Sequence, residues 1–219
     1  MNKFLLSVLF LFATSFVWSQ YGRQDGNRIG ISAGILQSTL FTDNFDSKPE
    51  LGFNGGLSVR GNYYNNWSMI YGMQFFYNKF SIESTSLNSL EKATDFNLQG
   101  VQVRLLLSYN VVEDHVSIDF GPVLQINGKL NVATKDENNV LNGTAIMAKQ
   151  IVDVSPINGN VYAGISAGGK VVRLVVFYEY GFTNVFNKLN KNDDLKLLNG
   201  NEKFKGNIGM VSAQVLFNL

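Results

Sequence analysis

GVQVRLLLSY (Gly100–Tyr109), followed six residues later by VSIDFGPVLQ (Val116–Gln125), decides the fold of this chain. Successive side chains of a β-strand point to opposite faces. In the first run Val101, Val103, Leu105, Leu107 and Tyr109 share one face; Gly100, Gln102, Arg104, Leu106 and Ser108 share the other. In the second, Val116, Ile118, Phe120, Pro122 and Leu124 oppose Ser117, Asp119, Gly121, Val123 and Gln125. The same alternation recurs further on, with Val172, Leu174, Val176, Tyr178, Tyr180 and Phe182 against Arg173, Val175, Phe177, Glu179, Gly181 and Thr183.

Outward from these runs, the lengths of the connections become the signal. Strand pairs 52–63/67–82, 96–109/116–130 and 160–167/171–184 meet through tight turns, and 28–37 and 205–219 stand at the two ends. The intervening connections 38–51, 83–95, 131–159 and 185–204 are long and polar. Eight strands with every short turn at one end is the pattern of an outer-membrane barrel. The sequence therefore predicts an all-β fold: an eight-stranded antiparallel up-and-down transmembrane β-barrel with short periplasmic turns and long extracellular loops. Closure follows from energetics. An open edge in hydrocarbon leaves backbone N–H and C=O groups unpaired at several kcal/mol each, so the first strand must pair with the last.

Alternation alone does not say which face is outside, since a soluble lipocalin-like barrel turns its apolar set inward around a ligand. Three features favour apolar-out. The opposite face carries Arg60, Arg104, Asp119, Arg173 and Glu179 at mid-strand, among glycines and small polar residues. The runs reach the roughly 9–11 residues that a tilted strand needs to cross a bilayer. Aromatics collect near strand ends, with Tyr63, Tyr64 and Trp67 at one turn, Tyr77 and Phe80 at the far end, and Tyr109, Tyr180, Phe182 and Phe217 elsewhere. Such belts sit at membrane interfaces. Lys79 falls on the lipid phase, beside an outer loop, where a charge costs about 0–1 kcal/mol.

Met1–Ser19 has the form of a secretory signal peptide: Lys3, an apolar stretch from Phe4 to Val17, and small residues at Val17 and Ser19. The expected organisation is a signal peptide over 1–19 and one barrel domain over 20–219, placed in the cell outer membrane after export. There is no cysteine, which removes disulfides, zinc-thiolate sites and thiol catalysis. A net charge of +1, falling to zero once Lys3 leaves with the leader, speaks against nucleic-acid binding.

The quoted runs also resemble the central strand pair of PorT-like outer-membrane β-barrel proteins, which abound in Bacteroidetes-type bacteria. Phe177–Val185, with its aromatic-Gly-x-Thr-Asn ending, is similar to that family's penultimate strand, and Ile208–Leu219 to its last. Gly121-Pro122 and Gly181–Asn184 are the distinctive elements. Two features depart from the pattern: Val101-Gln102 stands where the family often has Ile-Pro, and the chain ends in Leu219 instead of an aromatic. The resemblance implies an eight-stranded outer-membrane barrel and brings no catalytic residues with it.

The residues that carry charge or chemistry read as structural. Arg104 and Asp119, on adjacent strands at comparable heights from the 110–115 turn, are expected to pair, with Arg60, Arg173 and Glu179 joining a lumenal network. Eight strands enclose an interior just wide enough for side chains, and buried charges must be paired, so a structural network is favoured over a gate. His115, the sole histidine, sits at a short turn beside Glu113 and Asp114, with no nucleophile in view. Asn192, Asp193 and Asp194 lack the spacing of a calcium loop, and with Asp43, Asp46, Glu50 and 135–139 they read as solvated, mobile loop. Asn142-Gly-Thr144 matches a glycosylation sequon of low specificity. Val140, Leu141, Ile146, Met147 and Ile151–Val154 either extend the strands above the membrane or offer a partner surface.

No catalytic, cofactor or metal site is expected. The expected role is a non-enzymatic scaffold or binding platform working through its extracellular loops. The alternative is a narrow pore, or an accessory of an outer-membrane secretion or transport machine. A barrel enzyme and a secreted ligand-binding barrel are weaker readings. The expected partners are outer-membrane lipid, the barrel-assembly machinery during insertion, and an extracellular-loop or secretion-machine partner.

Overall fold

The computed structural model describes residues 28–86, 91–113 and 115–219. The leader 1–19, Asp114 and the side chains of Tyr63 and Tyr64 lie outside the described residues. Its strands are β1 (Arg28–Phe41), β2 (Ser47–Tyr64), β3 (Trp67–Thr85), β4 (Glu91–Val112), β5 (Val116–Val132), the short β6 (Val140–Leu141), β7 (Ile157–Gly168), β8 (Val172–Gly181) and β9 (Asn207–Asn218). A short helix, α1 (Asp193–Leu198), precedes β9. Every pairing is antiparallel, and β1 pairs with both β2 and β9. The ring therefore closes through β1-β2-β3-β4-β5-β7-β8-β9, and β6 lies outside it, paired to the end of β3.

A band of outward-facing apolar side chains girdles this ring, about nine residues deep on each strand. On β4 it runs Val101, Val103, Leu105, Leu107, Tyr109; on β5, Ile118, Phe120, Pro122, Leu124, Ile126; on β8, Val172, Leu174, Val176, Tyr178. Leu105 keeps 42% and Ile165 54% of its surface open. That depth matches the roughly 9–11 residues a tilted strand needs to cross hydrocarbon. Aromatic clusters mark both borders. At the short-turn end Trp67 packs against Tyr109 at 5.0 Å and Phe120 at 6.3 Å between centroids. At the other end Phe53 stacks on Tyr77 at 5.0 Å, and Phe41 meets Tyr180 at 6.0 Å. No helix among the described residues is long and apolar enough to cross a membrane; strands form the band.

Above the band the hydrophobic phase inverts while the strands continue. On β4 the outward residues become Gln99, Asn97 and Asp95, and the inward ones Leu98 and Phe96, both fully buried. On β3 the outward Lys79 and Glu83 accompany inward Phe76, Phe80 and Ile82. Apolar-out in one half and apolar-in in the other is what two solvents along one strand require: hydrocarbon below, water above. This corrects two expected loops. Residues 38–51 and 83–95 are mostly strand: only 42–46 separate β1 from β2, β3 runs to Thr85 and β4 starts at Glu91. Residues 133–156 and 182–206 are the two long loops.

Those two loops fold over the mouth of the barrel instead of standing as solvated, mobile segments. Phe45, Ile146, Ile151, Val185, Phe186, Leu189, Leu195 and Phe204 pack with Leu36, Leu40, Phe76, Phe80 and Phe96 into a single buried cluster. Phe45 meets Phe186 edge-on at 5.9 Å and lies near-parallel to Phe204 at 6.2 Å. Leu141, Ile146, Ala148, Ile151 and Val154 of the 131–159 connection thus line this cap. Leu141, Ile146 and Ile151 are completely buried, and Val140, Met147 and Val152 half-buried.

Candidate functional site

The interior beneath the cap is polar, and β-alternation aims it there. Inward positions of β4, β5, β7 and β8 supply Gln102, Arg104, Ser108, Ser117, Asp119, Gln125, Asn160, Arg173 and Glu179, all buried. Close approach helps to assemble it. A Cβ on Gly121 would fall 2.2 Å from the Leu105 carbonyl oxygen, so only glycine lets β5 sit this close to β4. Its neighbour Pro122, with no N–H to donate, faces the lipid band.

Arg60 with Asp119 and Arg104 with Glu179 form buried ion pairs, in an arrangement other than the expected one. Asp119 lies opposite Ser108, and Arg104 opposite Val123. The two are thus offset by four residues, about 13 Å along the strand, and they do not pair. Asp119 instead accepts from Arg60 Nη2 at 3.4 Å and from Ser117 Oγ at 3.0 Å. Arg60 also donates to the hydroxyl of Ser108. Arg104 reaches across the lumen to Glu179 at 3.4 Å, with its guanidinium 4.5 Å from the Phe177 ring centroid and 5.1 Å from that of Tyr162. Those two rings stack at 4.7 Å, so the cation is held against π-faces in a desolvated place, where such contacts are strongest.

Protein donors solvate the Glu179 carboxylate in place of water. It accepts from Gln102 at 2.7 Å and Asn160 at 2.6 Å besides Arg104. Gln102 and Asn160 both donate onward to Gln125 Oε1, at 2.9 and 2.8 Å, and Gln125 donates to Asn127 at 2.7 Å. Asn127 donates to Asn158 at 2.6 Å. This amide ladder lies between the charges and the apolar cap. Sequence reading missed it, although Gln102, Gln125, Asn127 and Asn158 share the inward phase. Across the lumen Gln214 donates to Gln74 at 2.8 Å, and Asn54 to Ser212 at 2.9 Å.

The remaining candidates find modest places. Arg173 donates to the Ser166 hydroxyl at 3.1 Å and carbonyl at 3.2 Å, close to the short-turn end. His115 is exposed, with Nδ1 2.8 Å from the Glu113 carbonyl. Asn192 caps α1, its side chain accepting from Asp194 N at 3.1 Å and Leu195 N at 3.3 Å, and Asp193 pairs with Lys196 at 2.9 Å. Asn142 accepts from Thr85 at 2.9 Å. Lys79 takes the outward phase just above the lipid band.

The Gly181-Phe-Thr-Asn184 motif acts as a staple between barrel and cap. Thr183 Oγ1 accepts from the Gly159 N–H at 3.0 Å and from Asn158 Nδ2 at 2.7 Å. Asn184 Oδ1 accepts from the N–H groups of Phe186 and Gly206, each at 2.9 Å, and its Nδ2 donates to the Phe204 carbonyl at 2.8 Å. One side chain thereby fixes both ends of the 182–206 loop.

A closed eight-stranded barrel with a lipid-facing girdle, a filled polar interior and an apolar cap defines the class: a β-barrel membrane protein. The family model for the outer membrane protein beta-barrel domain matches residues 18–187, and the chain belongs to that family. Among solved structures it is similar to Neisserial surface protein A, at 16% identity and TM-score 0.48, over 88% of this chain and 99% of that one. It is also similar to Ail, the attachment invasion locus protein of Yersinia pestis, solved in complex with the heparin analogue sucrose octasulfate. That likeness has 14% identity and TM-score 0.48, over 89% and 99% of the two chains. OprG of Pseudomonas aeruginosa follows at 11% identity and TM-score 0.44, over 90% and 98%. A comparison with curated proteins found no match.

Proposed function

We propose that the protein is a non-enzymatic, non-conducting barrel of the outer membrane, its short turns in the periplasm, that presents a rigid binding platform at the cell surface. Export by cleavage of the 1–19 leader belongs to the same reading. The observation that carries it is the apolar cap. Phe45, Phe186, Phe204, Ile146 and Ile151 fill the mouth with buried hydrocarbon, through which a hydrated ion has no path. Beneath it the lumen is occupied by interlocked side chains, as the width of an eight-stranded ring requires. Raised walls from β2 to β5 and the packed 133–156 and 182–206 loops form a folded outer surface. Preorganised surfaces lose less entropy on binding than mobile loops do.

Within this reading a role as an accessory of a secretion machine, in line with the PorT-like resemblance, is one use of such a platform; a pore is not. Planar-bilayer recording of the purified mature chain tests it. Silent membranes are expected at every voltage. Steady ion current through the intact protein would reject the platform reading in favour of the pore.

A further inference from the structure

Strand alternation also aims a strip of polar side chains outward, just above the lipid band. On β3 the outward residue above Tyr77, of the aromatic border, is Lys79; on β4 the outward residues above Val101 are Gln99 and Asn97. On β5 the register shifts between the pairs Gly100/Asn127 and Leu98/Leu130, and this bulge turns Lys129 and Asn131 to the same outer face, with Leu130 buried between them. Asn97 stands opposite Lys79 on one side and opposite Asn131 on the other. Two interstrand spacings and a two-residue drop place the Cα atoms of Lys79 and Lys129 about 12 Å apart, with the amides between them. Asn131 donates to the Asn97 carbonyl at 3.3 Å, which leaves the NH2 group of Asn97 to donate outward. Higher on this wall Lys48 pairs with Glu83 and Lys92 with Asp136. Among the described residues no carboxylate pairs with Lys79 or Lys129, neither Asp95 above them nor Glu50 across the bulge of β2.

We propose that Lys79 and Lys129 form a clamp for the phosphate of an outer-leaflet lipid headgroup, with Asn97, Gln99 and Asn131 as further hydrogen-bond donors. This rests on the reading that the girdle below the strip lies in the hydrocarbon of the outer membrane. The headgroup layer begins where the hydrocarbon ends, so lipid phosphates lie at the level of this strip and below the paired lysines of the upper wall. A lysine suits that border, because its stem lies along apolar surface while the ammonium stays in the polar layer. Two cations on a rigid sheet, with no carboxylate of their own, are complementary to an anionic headgroup. The acidic surface of a partner protein would need the strip clear of lipid, which its position against the band denies.

The test is native mass spectrometry of the mature barrel released from phosphatidylcholine nanodiscs that carry a minor share of phosphatidic acid or, in parallel, of diacylglycerol with the same chains. Phosphatidic acid is expected to stay bound through release, diacylglycerol to be lost, and added inorganic phosphate to displace nothing. Lys79→Gln with Lys129→Gln should lower phosphatidic acid retention about tenfold. Lys135→Gln with Lys191→Gln, the same change of charge in the cap loops, should leave it unchanged. Heat-modifiable migration checks each variant; should the first double variant not fold, Lys129→Gln alone carries the comparison with Lys135→Gln. Equal loss in both double variants, undiminished retention without Lys79 and Lys129, equal retention of diacylglycerol, or displacement by inorganic phosphate overturns the proposal. A barrel that does not enter nanodiscs refutes the membrane reading and the clamp with it. One that enters and holds the lipid without the two lysines refutes the clamp alone.

Discussion

The Arg104 guanidinium meets the Glu179 carboxylate at 3.4 Å across the barrel lumen, from β4 to β8, with Phe177 and Tyr162 against the cation. Because this pair ties strands that are not neighbours in the ring, it braces the barrel's cross-section where strand pairing alone cannot.

Removing one partner of that pair leaves an uncompensated charge in a dry place. Glu179→Ala is expected to destabilise the barrel by about 3–5 kcal/mol, and Arg104→Met with Glu179→Leu by clearly less, since an apolar replacement of a buried pair is often neutral. Urea unfolding followed by gel migration reads this directly. Equal losses in single and double variants would show that the pair does not act as a unit.

The facing of the strands predicts a sharp dependence on height. Leu105→Arg, at the middle of the lipid band, should cost about 2–4 kcal/mol, whereas Asn97→Arg, on the same face above the band, should cost about 0–1. Unfolding in lipid vesicles checks both. Tolerance of Leu105→Arg would mean that this face does not meet hydrocarbon.

Asn78 is completely buried on β3 between Phe76 and Phe80, and neither polar atom of its side chain has a protein partner. Desolvating unpaired polar groups costs about 1–3 kcal/mol. Asn78→Leu, of similar size, is therefore expected to raise the melting temperature. A lower one would place the amide in a hydrogen-bonding role.

The cap staple can be loosened without touching the apolar core. Asn184→Ala removes three hydrogen bonds that join Phe186, Gly206 and Phe204. At about 0.5–1.5 kcal/mol net for each, the 182–206 loop should become sensitive to protease while the strands stay intact. Unchanged protection would assign the closure to Phe186 and Phe204 alone.

The lipid band was legible because hydrocarbon enforces contrast: Val101 to Tyr109 on one face against Gly100 to Ser108 on the other reads directly as two environments. The upper parts of β3 and β4 were hidden for the opposite reason. Their inward Ser84 and Thr94 are polar, as are Ser81, Glu83 and Asp95 on the opposite phase, so neither face stands out. Ser84 and Thr94 are satisfied by each other at 2.7 Å, and Asn139 donates to Thr94 at 2.9 Å, long-range contacts that no local pattern reveals. Phe96 and Leu98, opposite in phase to Val101 and Val103, and Phe76, Phe80 and Ile82, opposite to Met73 and Phe75, carried the trace of the inversion. The choice of ion-pair partners was equally hidden. Adjacent strands suggested Arg104 with Asp119, but a four-residue register offset and the reach of an arginine sent each charge elsewhere.

One strand passes from hydrocarbon to water at the point where its apolar residues change face. The chain has no cysteine, so single cysteines at outward β4 positions 93, 95, 97, 101, 103, 105 and 107 can carry nitroxide labels in bilayer nanodiscs. Relaxation by oxygen should dominate at Val101, Val103, Leu105 and Leu107, and relaxation by a water-soluble nickel chelate at Ala93, Asp95 and Asn97, with the crossover between Asn97 and Val101. Chelate access along the whole outward face would rule out a hydrocarbon-facing band and make the barrel a water-soluble one.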